Sequence, residues 1–191
     1  MRVKAWLLTP IVGAVALLAV ASATRASTFL AMSQEELVAG SAAVVDARVV
    51  QVKSFWNREH TAILTEALVR VDEVVVGEAP AYVKVRTFGG TVGRYRIEAH
   101  GFPTFEHGQR LLLFLYTEPA DGSVRVQGYR LGEYRVETRP DGVEVARPMA
   151  DAGMRLLRPD GKAVEAPRAR PLAEMKASLR DIGERQGRRV P

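Results

Sequence analysis

His60, His100 and His107 are the only histidines in the 191-residue chain, and it has no cysteine. Thiol nucleophiles, disulfide staples and cysteine ligands are therefore excluded. Two of the histidines fall in one short loop, where Glu98, His100, Glu106 and His107 offer the nitrogen and oxygen ligands that zinc accepts. The loop also contains Gly101, Pro103 and Gly108, so a polar turn feeding the next strand accounts for the same residues. Two readings stay open: a metal-dependent protein or enzyme using His100, Glu106 and His107, or a turn with no metal. There is no HExxH helix and no Gly-x-Ser-x-Gly elbow, so no catalytic residue and no cofactor is assigned.

Two other stretches invite a ligand. Gly89-Gly90-Thr91-Val92-Gly93 is glycine-rich, but it lacks the lysine and the following helix of a phosphate cradle; its glycines are expected to supply positive φ at a bend. Basic and aromatic residues alternate at Tyr82, Lys84 and Arg86, at Arg94, Tyr95 and Arg96, and at Arg125, Tyr129, Arg130, Tyr134 and Arg135. Bases stack on such aromatics in nucleic-acid platforms, but an outward sheet face needs no ligand to carry them, so no nucleic-acid partner is expected.

The elements that must position these residues are mostly strands. Ser33-Gln34-Glu35-Glu36 is a capping box, with Met32 and Leu37 placed as a hydrophobic staple and Gly40 to end a short helix. From Ala42 the apolar period is two for about a hundred residues. Val45, Ala47 and Val49 share one parity and Val50 and Val52 the other, which predicts a bulge near Val49; Ile63 to Val76 switches face in the same way. Such coiled strands turn the corners of small barrels. Leu111 to Tyr116 is apolar on both parities, hence central, with the capped helix and a far helix as its covers. Asp121-Gly122, Asp141-Gly142 and Asp160-Gly161 predict tight hairpins. After Pro171, Leu172, Met175, Leu179 and Ile182 form one helical stripe that docks on its own domain.

Arg2 and Lys4 precede an apolar run from Ala5 to Ala21, which predicts a signal peptide over residues 1–23 cleaved after Ala23, or alternatively after Ala26, leaving Thr24 or Ser27 first. Pro10 and Gly13 interrupt the run, which is shorter than the roughly 20 residues a span needs, so no membrane span is expected after cleavage. The expected location is secreted or periplasmic. Charge divides the remainder: Thr24 to Ala146 carries 14 Lys and Arg against 16 Asp and Glu, and Arg147 to Pro191 carries 11 against 6. The expected organisation is a β-barrel domain over 24–146, a Pro/Arg-rich turn and hairpin segment over 147–170, and a C-terminal helix and tail over 171–191. Arg168, Arg170, Arg185, Arg188 and Arg189 make that C-terminal segment basic; such a segment is expected to be solvated, with weak electrostatic contact to anionic surfaces.

Leu37 to Val52, Val69 to Gly77 and Phe105 to Leu115 together resemble small exported bacterial proteins related to the tissue inhibitors of metalloproteinases. The resemblance covers about Leu37 to Val136. It implies a netrin-type, partly open OB-like β-barrel, here mainly β with an N-terminal helix and a C-terminal amphipathic helix. The animal inhibitors place a disulfide-bonded N-terminal cysteine over the protease zinc, so only the fold carries over to a chain without cysteine. The expected function is an exported, non-catalytic binding module whose protein partner is an exported metalloprotease or an envelope component.

Overall fold

The computed structural model describes residues 28–150 and 154–191; the expected signal segment and the cleavage positions Ala23 and Ala26 lie outside them. The chain opens with β1 (Thr28–Leu30) and α1 (Gln34–Ala39). The capping box forms as expected: the Ser33 hydroxyl accepts from the Glu36 amide at 3.1 Å and the Glu36 carboxylate accepts from the Ser33 amide at 2.7 Å. Such a cap is worth about 1 kcal/mol. Met32 and Leu37 converge on Gly128, as a staple requires.

Two long strands follow, β2 (Ala43–Trp56) and β3 (Ile63–Gly77), paired antiparallel with register shifts at Val44/Val45, Asp46/Ala47 and Val49/Gln51. The last is the bulge expected near Val49. These shifts let Val45, Ala47, Val49 and Val52 all reach one interior while Val44, Val75 and Val76 turn to the opposite side. Next come β4 (Tyr82–Phe88), β5 (Gly90–Val92), β6 (Tyr95–Ile97), β7 (Arg110–Thr117) and β8 (Val124–Val126). Strands β2, β3, β4, β8 and β7 close a five-stranded barrel, β8 joining β4 through the single parallel pair Val85–Val124 and β7 through three antiparallel pairs.

Beyond a 3₁₀ turn at Tyr129–Gly132, β9 (Glu133–Thr138) continues the sheet from the first half of β7, and β10 (Glu144–Pro148) pairs with β9. Then β11 (Arg155–Leu157) and β12 (Ala163–Val164) form a hairpin, β13 (Arg170–Pro171) adds to β10, and α2 (Leu172–Arg185) ends the regular structure. Strand β1 runs parallel to β11, so residues 28–30 share a small three-stranded sheet with the β11–β12 hairpin. All three Asp-Gly pairs sit at hairpin tips, and Asp121, Asp141 and Asp160 each accept a backbone amide two residues on.

Strand β7 separates two cores. Leu111, Leu113 and Leu115 point into the barrel; Leu112 and Phe114 point outward beneath α1 and α2, where Leu37, Val38, Leu172, Met175, Leu179 and Ile182 cover them. All five β7 residues are at most 2 % exposed, and each apolar side chain so buried contributes about 1.5–3 kcal/mol. Both expected lids are therefore in place.

A cluster of charges fastens α2 to the barrel wall. Asp46 of β2 is 1 % exposed; Arg110 grips it with two hydrogen bonds of 2.9 and 2.8 Å, and Lys176 of α2 reaches it at 2.5 Å. Lys176 also meets Glu73 at 2.7 Å, Glu73 is bound by Arg180, and Arg110 is bound by Glu144. Burial alone raises the Asp46 pKa, but the hydrogen bonds and charges of Arg110 and Lys176 outweigh it and hold the carboxyl below its ordinary value.

In the basic C-terminal segment α2 and the residues after it dock on the fold, while the Arg168, Arg185 and Arg189 side chains stay exposed. Arg188 donates to the Ser41 and Ala42 carbonyls at 2.6 and 2.9 Å, the Gly77 amide donates to the Arg189 carbonyl at 2.7 Å, and Arg189, Arg185 and Arg168 pair with Glu78, Asp181 and Glu165. Backbone carbonyls at Ser41 and Ala42 and the Glu78 carboxylate take up Arg188 and Arg189, while Arg185 and Arg168 pair within the segment itself. The buried and exposed pairs differ in consequence. Asp46→Asn is expected to cost about 3 kcal/mol by removing the buried carboxylate that Arg110 and Lys176 share and leaving each with a single partner, Glu144 and Glu73. Glu78→Gln, in a pair whose side chains are both 72 % exposed, should cost under about 1 kcal/mol. Denaturant unfolding of the two variants checks the contrast.

Candidate functional site

A cleft of about 660 Å³ lies at one end of the barrel, between the β5–β6 hairpin and the segment 98–105. Glycine allows the hairpin to fold there: Gly90 has φ +134°, and a Cβ on it would meet Thr65 Oγ1 at 2.3 Å and Ser54 Oγ at 2.4 Å. Those two hydroxyls bond each other at 2.8 Å, and Thr65 donates to the Gly89 carbonyl at 2.7 Å. Opposite, Thr87 donates to the Pro103 carbonyl at 3.0 Å and Arg130 donates to Thr104 Oγ1 at 3.0 Å. Side-chain hydroxyls thus pin both walls to the barrel strands.

Aromatic rings crown the cleft. Phe88 and Phe102 meet edge-on at 5.2 Å, Phe102 and Tyr129 at 4.9 Å, and Tyr129 and Phe29 at 6.1 Å. Phe29 lies so close over Gly101 that a Cβ there would sit 1.9 Å from the ring. Phe88, Ile97 and Tyr129 remain 39 %, 37 % and 47 % exposed, a sizeable apolar surface left in contact with solvent. Tyr129 holds φ +58°, a left-handed conformation that costs a non-glycine residue on the order of 1 kcal/mol. Farther along the rim Trp56 stacks on His60 and meets Tyr95, and Arg94 lies over the Tyr95 ring.

The expected metal loop is divided. Glu98 and His100 line the cleft, Glu98 already paired with Arg96 at 2.8 Å. Glu106 lines a different, shallower pocket, where its carboxylate accepts from Gln109 at 3.2 Å, and His107 is exposed at the turn. Among the described residues no three His, Asp or Glu side chains converge as a metal would require. Phe105 divides them: it is 7 % exposed and packs into the barrel core.

One titratable group escaped the sequence reading. Glu133 stands opposite Leu113, on the barrel side of β9, with 0 % exposure and no hydrogen-bond partner for either carboxylate oxygen. Burial pushes its pKa from 4.5 to about 8; the charges of Arg130 and Arg135 act the other way without overcoming it. Glu133 is a neutral acid at pH 7. The basic and polar residues around it in sequence gave no signal of this, because only the pairing of β9 on β7 decides which way it faces.

No family model, curated protein or solved structure matches this chain. The residues and their geometry therefore carry the functional reading alone. Among the described helices none is long and apolar enough to cross a membrane.

Because the folded-state pKa of Glu133 lies above the unfolded value of 4.5, its contribution to stability is fully present below about 4.5 and is lost as the pH rises through about 8. Melting temperature should fall over that window. In Glu133→Gln the decline should flatten and the melt at pH 8 should move upward, which thermal scans at pH 5, 6.5 and 8 measure.

Proposed function

We propose that this chain is an exported, non-catalytic binding module that holds a segment of another exported protein, a metalloprotease or an envelope component, in the cleft at the barrel end. The carrying observation is the aromatic set of exposed Phe88 and Tyr129 with half-buried Phe102 between them, at a concavity whose walls are pinned by buried hydroxyls. Preorganised aromatic surface of this kind supplies most of the energy of protein recognition, because rigid rings lose little entropy on docking. The barrel interior is filled by Val, Ala and Leu side chains and Phe105, so the rim and not the lumen is the surface available to a partner. The apolar run of residues 5–21 supports an exported setting, secreted or periplasmic.

Mature protein titrated against a panel of exported metalloproteases from the same cell envelope is expected to slow one of them stoichiometrically. Phe88→Ala with Phe102→Ala should weaken that effect at least tenfold, since a docked aromatic hot spot carries about 2 kcal/mol or more. Full protease activity across the panel removes the protease version. Undiminished binding by the double variant removes the cleft.

A further inference from the structure

Glu133 is joined to one wall of the cleft by a short chain of bonds. Its amide closes the 3₁₀ turn by donating to the Arg130 carbonyl. Within that turn the Arg130 amide donates to the Gly101 carbonyl at 3.2 Å and its guanidinium donates to Thr104 Oγ1 at 3.0 Å, so one residue fastens both ends of the segment 101–104. The turn itself is strained: Gly128 and Tyr129 are both left-handed, at φ +66° and +58°. Such a turn keeps its shape only while its surroundings hold it. Gly132 does so on the side of β7 and β8, packed so closely that a Cβ would meet the Gln127 carbonyl at 2.2 Å and the Phe114 side chain at 3.1 Å.

The Glu133 carboxyl has nothing comparable to hold. Both oxygens are buried and accept no hydrogen bond. β7 faces it with Leu111 and Leu113. On the same face β10 carries Arg147, which is bound to Glu137 at 2.9 Å. Arg125 of β8 is taken up by Glu118 and Asp121. The segment 98–105 sends Phe105 into the barrel core and turns Glu98 and His100 to the cleft. The charges that act on the carboxyl are those of Arg130 in the turn and Arg135 on its own strand, with Arg130 the stronger. A buried carboxyl tolerates this as a neutral acid, whereas a buried carboxylate must find a cation.

We infer that Glu133 is a proton-operated latch on the cleft wall: while it keeps its proton Arg130 holds the segment 101–104, and once it ionises it draws the Arg130 guanidinium inward and releases that segment. The exchange is favourable because a guanidinium bonds a carboxylate about twice as strongly as it bonds a neutral hydroxyl such as that of Thr104. The proton passes to solvent as the pH rises through about 8, the value to which burial pushes this carboxyl. Phe102 and Tyr129 ride on the two segments that part, and their ring contact at 4.9 Å is the join in the aromatic crown that opens. That the latch governs a partner rests on the reading of the cleft as the partner's seat; the latch itself belongs to the free protein and is measured without one.

The test is hydrogen exchange of the whole mature protein between pH 6 and pH 9, with rates corrected for intrinsic chemistry. Protection of the Phe102 and Arg130 amides, which donate to the Ala99 and Gly101 carbonyls, should fall about tenfold over that range. The β7 amides should stay at least about a hundredfold better protected throughout, which separates release of the wall from global unfolding. Glu133→Gln should keep the wall protected at every pH. Arg130→Gln should leave the wall poorly protected at every pH, whereas Arg135→Gln should respond to pH as the parent does. A carbon-detected NMR titration of the Glu133 carboxyl in the unsubstituted protein supplies the same answer if a variant fails to fold: its midpoint should coincide with that of the wall. Wall protection that does not change with pH, that falls in parallel with β7, that still falls in Glu133→Gln, or that stops responding in Arg135→Gln would overturn the latch, as would midpoints that differ. A wall that opens as described in a protein whose partner is indifferent to Phe88→Ala with Phe102→Ala keeps the latch and removes the cleft as the partner's seat.

Discussion

The charge cluster on Asp46 is the constraint on which the remaining architecture rests. Strand β2 must bury valines on both faces, and its outer face at Val44 is dry only because α2 lies across it. Leu172, Met175, Leu179 and Ile182 supply the apolar force, but a smooth stripe of this kind can slide. Lys176, which reaches both Asp46 and Glu73, fixes where the helix sits, since sliding it would draw the buried ammonium away from both carboxylates. Hydrophobic burial brings the helix down; the ion pairs choose where it lands.

The same division explains what could be read in the sequence. Features whose cause is local were legible. The capping box at Ser33, the Asp-Gly tips, the bulge at Val49 and the two-faced apolar run at Leu111 to Leu115 are each decided within a few residues. Features decided by register were not. Asp46 and Lys176 stand 130 positions apart, and nothing near Asp46 distinguishes it from the exposed Asp72. Glu133 reads as an ordinary polar residue at the start of an alternating strand. Its neighbour Tyr134 faces the helices and Glu133 the barrel, an assignment made wholly by β7.

The functional surface was less legible still, because it is assembled from distant pieces. The cleft joins β2, β3 and β4 to the segment 98–105 and to the turn after β8. The glycine run at Gly89 to Gly93, which invited a phosphate reading, bends the hairpin over the barrel end instead. The histidine loop that offered a metal site sends Glu98 and His100 to one pocket and Glu106 to another, because Phe105 between them is drawn into the core. An apolar anchor inside a polar loop redistributes its flanks. That effect has no local signature.

The single backbone pair between β4 and β8 gives the barrel a seam. Elsewhere neighbouring strands share ladders of several residues, but at Val85 and Val124 the ring is held mainly by side chains. Arg86 bridges Glu66 and Asp121, and Arg125 joins Glu118 and Asp121 while lying over Phe88. Exposed charges of this kind weaken in salt, whereas backbone ladders scarcely do. Phe88 belongs to the cleft, so the wall that carries the aromatic ring is also the edge along which the cylinder can part. A partner wedged against Phe88 would press on the barrel's most compliant line, and ionic strength would set how far it yields.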